Sequence, residues 1–301
     1  MRIAVAATPE VAIPSLERIQ NSDKVLSLIL TQPDRRAGRG RQVQETPVAK
    51  WARQNGIVTS KPEAVADIIQ ALTDIDLLIT IGYGVLLPVE VLEKPKLGCI
   101  NLHFSLLPRW RGAAPVQRAI EAGDSVSGVS VFALDEGMDT GPIYLSKRFA
   151  LDSDITSDEL LIELSELGAE ALIEALAMIA DGTPPIAQPA IGATRAYKLS
   201  KEEGVISWKL PSDVISAKIR AFTSEPGAWT LFRGGPITIT KVEPSEQILP
   251  PGQLRLIDKN LFVGTATSAL IVTSLRPAGR STMDAHSWAN GARLEESEYF
   301  G

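Results

Sequence analysis

The chain has 301 residues, 45% of them hydrophobic and 22% charged, and a formal net charge of -6. That is an ordinary globular composition, with material for about two domains, and its mild acidity neither demands nor excludes a nucleic-acid partner, because a local basic surface can sit on an acidic protein. One cysteine, Cys99, excludes an internal disulfide and fits a reducing compartment. The opening begins with a single charge at Arg2 and a strand-like run broken at Thr8-Pro9, which is not a secretory signal pattern. No run of about 18 apolar residues occurs, so no membrane span is expected.

In chain order, Ile3 to Ala7 predicts a strand and Val11 to Ile19 follows with helical spacing. Lys24 to Thr31 predicts a second buried strand. The stretch QPDRRAGRGRQVQET is expected as a loop leading to a helix near Pro47–Gln54. A brief strand at Ile57–Thr59, a helix over Glu63–Leu72, and strands at Asp76–Ile81 and Cys99–His103 continue the alternation. Apolar strands separated by helices of about ten residues predict a mostly parallel, Rossmann-like α/β sheet with helices on both faces. Ligands of such sheets bind beyond the carboxyl ends of the strands. Strands at Gly128–Leu134 and Pro142–Ala150 then flank the loop DEGMDTG, and a long helix is expected over Ser157–Ala180. Residues 183–204 lack periodicity and are rich in Pro, Ala and Gly, which predicts a linker. A helix near Ser212–Phe222 precedes short strands at Ala228–Phe232, Ile237–Val242, Gln253–Ile257, Leu261–Gly264 and Ala269–Ser274, the texture of a small β-barrel. The expected division is 1–182, a linker 183–204, and 205–301.

Two histidines are present, His103 and His286. Asn101 and His103 sit two apart at a strand end, so both side chains face one side. An amide and an imidazole there can donate to negative charge on a tetrahedral carbon, or can simply be structural donors; spacing leaves both readings open. The acidic loop Asp135–Gly141 could orient His103 through Asp139, or be a plain turn. His286 is read as the flank of a short helix.

Asn101-Leu102-His103, Ser105-Leu106-Leu107-Pro108 and Asp139-Thr140-Gly141 together resemble the formyltetrahydrofolate-dependent formyltransferases. Arg109-Trp110-Arg111-Gly112-Ala113-Ala114-Pro115, Gln32-Pro33-Asp34-Arg35 with Ala37-Gly38-Arg39-Gly40-Arg41, and Lys198-Leu199-Ser200-Lys201-Glu202-Glu203-Gly204 extend the likeness over the whole chain, toward the members that act on charged initiator tRNA.

The resemblance implies a cytoplasmic, monomeric enzyme that transfers the formyl group of 10-formyltetrahydrofolate to the α-amine of methionyl initiator tRNA. It implies a catalytic set of Asn101, His103 and Asp139; no metal is expected, since one cysteine and two distant histidines do not supply a zinc site. Asn101 and His103 would hold the oxyanion. Asp139 would bias the charge of His103 and help carry the amine's proton away. Gly82, Tyr83, Gly84, Val85 and Leu86, with Ser105, Leu106, Leu107, Pro108, Asp135, Gly137 and Thr140, are the expected folate contacts. Arg35, Arg36, Arg39 and Arg41 form a basic segment that is either a solvated loop or one suited to phosphates and bases. The resemblance sends it into the acceptor stem, with Arg39 foremost. An oligonucleotide-binding barrel is implied for the second domain, with Lys198, Lys201, Lys209, Lys218 and Arg220 as its basic candidates.

Phe104 and Ala7 depart from the family pattern, which puts in doubt the pocket wall beside His103 and a close backbone approach at residue 7. The alternatives are a relative acting on an amino-sugar nucleotide and a non-catalytic RNA-binding relative.

Overall fold

The structure, a computed structural model, describes residues 1–37, 42–295 and 298–301. The chain divides into two compact units. The first comprises Met1–Pro115, Val126–Ala150 and Leu161–Ala196; the second comprises Val116–Ser125, Leu151–Leu160 and Tyr197–Gly301.

In chain order the elements are β1 (Arg2–Ala7), α1 (Ile13–Gln20), β2 (Val25–Leu30), β3 (Arg35–Ala37), β4 (Gln42–Gln44), α2 (Pro47–Gln54), β5 (Thr59–Ser60), α3 (Val65–Ala71), β6 (Leu77–Ile81), α4 (Val89–Leu92) and β7 (Cys99–His103). There follow β8 (Arg111–Gly112), α5 (Pro115–Glu121), β9 (Val126–Ala133), β10 (Ile143–Ala150), α6 (Ser157–Ala180) and β11 (Arg195–Ala196). Seven strands form one sheet in the order β10-β9-β7-β6-β1-β2-β5. Strands β5, β2, β1, β6 and β7 are parallel, and β9 and β10 add an antiparallel pair beyond β7. The α/β expectation holds.

Burial explains the sequence texture. Every residue of β6, LLITI, is buried, as is β1 from Ile3 to Ala7. A strand covered on both faces needs no polar alternation. Helix α2 starts where Pro47 follows Thr46, whose hydroxyl accepts the amide of Ala49 at 3.1 Å. Such a cap satisfies one of the unpaired first-turn amides. Cys99, at the head of β7, is a core residue: its thiol donates toward the carbonyl of Leu92 at 3.6 Å, and burial pushes its pKa up to about 12.

Two glycines fix the ends of the strands that matter. Gly82, just past β6, has φ +55, and a Cβ there would lie 2.8 Å from the ring of Pro9. Pro9, two residues past Ala7, makes the close approach to Gly82, while Ala7 itself pairs with Ile81 inside the sheet. Gly168 of α6 faces Leu102 of β7; a Cβ would meet the Leu102 methyl at 2.9 Å. Helix α6 can lie close to β7 only because that side chain is missing.

The loop expected at residues 32–46 contains a short antiparallel hairpin, β3 with β4. Its sequence has no apolar alternation, so backbone pairing alone defines it, and no periodicity announces it. Residues 183–196, expected within the linker, also carry order. Ile186 bridges Ile143, and β11 pairs in parallel with β8.

The second unit contains α7 (Ser212–Ala221), β12 (Ala228–Phe232), β13 (Gly235–Pro244), β14 (Leu254–Ile257), β15 (Asn260–Val263), β16 (Leu270–Pro277), β17 (Met283–Asp284) and α8 (Ala285–Ala292). Its antiparallel sheet runs β12-β13-β16-β15-β14, with β17 on β16. This is a half-barrel of the oligonucleotide-binding kind; β12 and β14 are not paired among the described residues. Trp208, Phe232, Trp288 and Phe300 form its aromatic core, with Trp208 stacked on Phe300 at 5.7 Å. The Trp208 indole donates to Thr230 at 3.0 Å, so its polar atom is satisfied.

Candidate active site

The site is built at the carboxyl end of β7. Asn101 pairs with Thr80 of β6, and His103 with Ser130 of β9. Strand alternation puts the Asn101 and His103 side chains on the face opposite Leu102, which packs under α6. The Asn101 carboxamide has no hydrogen-bond partner among the described residues.

His103 is buried, its ring nearly perpendicular to that of Phe132 with centroids 6.3 Å apart. Its Nε2 lies 2.9 Å from the carbonyl of Trp110. A carbonyl only accepts, so Nε2 is the donor in this contact and Nδ1 is the other ring nitrogen, free of it. Nδ1 faces Asp139 Oδ2 at 3.8 Å. The same oxygen accepts the Gly112 amide at 2.7 Å.

The loop bearing Asp139 is organised from within and from outside. Asp135 Oδ1 accepts the Thr140 hydroxyl at 2.7 Å and the Gly137 amide at 3.0 Å. Asp139 itself takes a left-handed backbone, φ 55, which aspartate tolerates better than most residues. Outside the loop, the Gln188 amide nitrogen donates to the carbonyls of Asp139 and Gly141 at 2.9 and 2.7 Å. The Gln188 oxygen accepts Arg111 Nε and Nη2 at 3.1 and 2.6 Å.

A cavity of approximately 430 Å³ opens among these groups. Asn101, His103 and Asp139 all line it. So do Gly82, Tyr83, Gly84, Val85, Leu86, Asp135 and Gly137 of the expected folate contacts. Burial holds the Tyr83 phenol above its ordinary value, so it stays a neutral donor. Phe104 also lines the cavity, next to His103. Ser105, Leu106, Leu107, Pro108 and Thr140 are not on the cavity wall. Ser130 explains the first group: its hydroxyl donates to the Ser105 carbonyl at 2.8 Å and accepts the Leu107 amide at 3.1 Å. The segment is a tie between β7 and β9. Thr140 is occupied in closing its own loop.

Among the expected nucleic-acid contacts, Arg35 is exposed and donates to Gln32 at 3.2 Å. Arg39 and Arg41 lie outside the described residues, as does the side chain of Arg36. Lys201 and Lys209 are exposed on the second unit. Arg220 is not a surface cation: it donates to the Ile155 carbonyl at 3.1 Å, and its buried Nε finds no partner among the described residues. Desolvation lowers its pKa from the ordinary arginine value. Near Lys201, Arg118 pairs with Glu121 and Glu203, both at 2.7 Å, and donates to the Tyr197 carbonyl. Glu203 in turn accepts the Ser200 amide at 2.8 Å, which closes the Ser200–Glu203 turn. Among the described residues no helix is long and apolar enough to cross a membrane.

A formyl transferase model matches residues 1–176, and a formyl transferase C-terminal domain model matches residues 198–293. A methionyl-tRNA formyltransferase from Mycobacteroides abscessus is 41% identical over 306 residues, spanning 98% of each chain. The chain belongs to the methionyl-tRNA formyltransferase family. Solved structures support the fold. An N-formyltransferase from Helicobacter canadensis, described with folinic acid and dTDP-3-aminofucose, superposes with a TM-score of 0.68 at 18% identity, over 90% of this chain and 98% of its own. A variant of HypX from Aquifex aeolicus gives 0.70 at 17% identity over 96% of this chain; the chain spans 48% of that protein's length.

For a methionyl-tRNA formyltransferase family member, sequence reasoning missed the groups that hold the catalytic candidates: the Trp110 carbonyl, the Gly112 amide, Arg111, Gln188 and Thr194. Thr194 Oγ1 accepts the Trp110 amide at 2.9 Å. Two of these are backbone atoms and carry no residue signature. The one available hint was Gln188, a lone carboxamide in a Pro/Ala-rich stretch.

Proposed function

We propose that this chain moves the formyl group of 10-formyltetrahydrofolate to the α-amino group of methionine carried on initiator tRNA, with Asn101, His103 and Asp139 as its catalytic side chains. The observation that carries this is the meeting of all three around one cavity, in a chain 41% identical to a curated methionyl-tRNA formyltransferase over nearly its full length. Cavities of a few hundred Å³ suit a ligand the size of a folate head group. Gly82 and Gly84, exposed on the cavity lining with left-handed backbone, would offer hydrogen bonds to a flat, polar-edged ring.

Transfer needs negative charge stabilised on the formyl oxygen and a proton taken from the attacking amine. Asn101 supplies a neutral N–H donor for the oxygen. His103 was expected to donate alongside it, but its Nε2 proton is directed at the Trp110 carbonyl. It donates to the oxygen only as an imidazolium, through Nδ1, and Asp139 is the counter-charge 3.8 Å away. The same carboxylate is placed to receive the amine's proton, directly or through water, and to pass it to N10 as the tetrahedral intermediate collapses, the C–N10 bond breaks and tetrahydrofolate leaves.

The division 1–182, 183–204 and 205–301 serves this function as catalytic domain, connector and tRNA-binding domain, supported by family matches at 1–176 and 198–293. Arg35, Arg36, Arg39 and Arg41 meet the acceptor stem, and Lys201 and Lys209 the backbone. The enzyme acts as a cytoplasmic monomer.

The test is incubation with 10-formyltetrahydrofolate and one of three acceptors: charged initiator tRNA, charged elongator tRNA or an amino-sugar nucleotide. Formylation of the initiator species alone is expected. Formylation of the sugar nucleotide instead, or of nothing, contradicts the proposal.

A further inference from the structure

Gln188 lies outside every segment assigned to chemistry, yet each polar group of its carboxamide is engaged. The amide nitrogen donates to two carbonyls of one loop, Asp139 and Gly141, and the oxygen accepts two bonds from the Arg111 guanidinium. Reversing the carboxamide would set its oxygen against two carbonyl oxygens and its NH₂ against the guanidinium. The network therefore admits one orientation. Arg111 precedes Gly112, whose amide holds Asp139 Oδ2 at 2.7 Å. Strand β8, which contains both residues, is paired with β11, seven residues beyond Gln188. The Asp139 loop is thus gripped by its own carboxylate and by two of its carbonyls. All of these groups belong to the first compact unit.

We infer that Gln188 is a positioning residue for the reaction: with Arg111 it sets the left-handed backbone at Asp139 and so the distance of the carboxylate from His103. A side chain that touches no substrate can act this way because misplacing a reacting group by about 1 Å costs on the order of a hundredfold in rate. This inference rests on the catalytic role proposed for Asp139.

The experiment compares wild type, Gln188→Ala, Gln188→Glu, Asp139→Asn and the double variant Gln188→Ala/Asp139→Asn. Each is assayed for kcat, for KM of both substrates, and for the pH profile of kcat. Gln188→Ala is expected to lose roughly 10- to 100-fold in kcat with KM little changed. Its pH profile should move toward that of Asp139→Asn. Gln188→Glu keeps an acceptor for Arg111 but has no donor for the two carbonyls, and should resemble the alanine variant. It also serves if the alanine variant does not fold. Adding Gln188→Ala to Asp139→Asn should cost little more, because the group being positioned is already disabled.

A Gln188 variant with wild-type kcat and an unmoved pH profile overturns the inference. So does a loss that multiplies fully with that of Asp139→Asn. If Asp139→Asn itself is fully active, the catalytic reading of Asp139 fails instead, and the two failures are told apart.

Discussion

The two walls of the cavity meet at one place but are held by different forces. The β7 wall, with Asn101 and His103, is anchored by apolar burial. Its neighbours in the sheet are covered strands, and Leu102 beneath it packs on α6 at Gly168. The opposite wall, Asp135–Gly141, is anchored by polar contacts: an internal Asp135–Thr140 bond, the Gly112 amide and the Gln188 carboxamide. Hydrophobic packing fixes a strand to within its own tight tolerance and resists change as a block. Hydrogen bonds fix a loop only while each donor is present. Damage to the packing beneath the first wall should appear as lost stability, and damage to the polar ties of the second as lost rate in a folded protein.

The largest expected effect is chemical. His103→Ala removes the ring between the Trp110 carbonyl and Asp139, and should lower turnover by roughly two to three decades, the usual loss for one oxyanion donor. Steady-state formylation measures it. Asp139→Asn keeps the shape and the acceptor oxygen for the Gly112 amide but loses the charge; a loss of about a hundredfold is expected, with thermal stability near wild type. Equal losses of rate and stability would erase the distinction between the walls.

The comparison sharpens at Gly168. Gly168→Val drives two methyls into Leu102 and should cost about 1–3 kcal/mol of stability by denaturant unfolding, while the pH profile of whatever enzyme folds stays in place.

This contrast also explains what was legible in the sequence. Apolar runs announced β1, β2, β6 and β7, and helix α6 was expected over the range it occupies. Asn101 and His103 could be put on one face by strand alternation alone. The hairpin β3–β4 and the pair β8–β11 were invisible, because backbone bonds between polar or single residues leave no period to read. Residues 183–196 looked like a linker for the same reason: Gln188 and Thr194 act through isolated polar side chains that leave no period. Ser105–Pro108, given as folate contacts by the resemblance, lie off the cavity wall, where Ser130 ties that segment to β9.

The smallest effect belongs to the second unit, where Arg118 braces the turn carrying Lys201. Arg118→Ala should raise KM for tRNA a few-fold and leave folate affinity alone, as expected for a surface that adds electrostatic contact. Arg118 donates to Glu203 and holds its carboxyl below the ordinary 4.5. A lowered acid contributes stability that is whole above that ordinary value and is lost as pH falls through the lower folded one. Acid unfolding curves of wild type and Arg118→Ala should therefore converge as pH drops below about 4.5.

The most direct measurement is the single-turnover rate of formyl transfer to charged initiator tRNA by Asn101→Ala, made alongside the dissociation constant of the folate donor. With the amide at the developing charge, the rate should fall by roughly two to three decades while donor affinity barely moves. A transfer rate close to wild type, or a loss matched by an equal loss of donor binding, would contradict it.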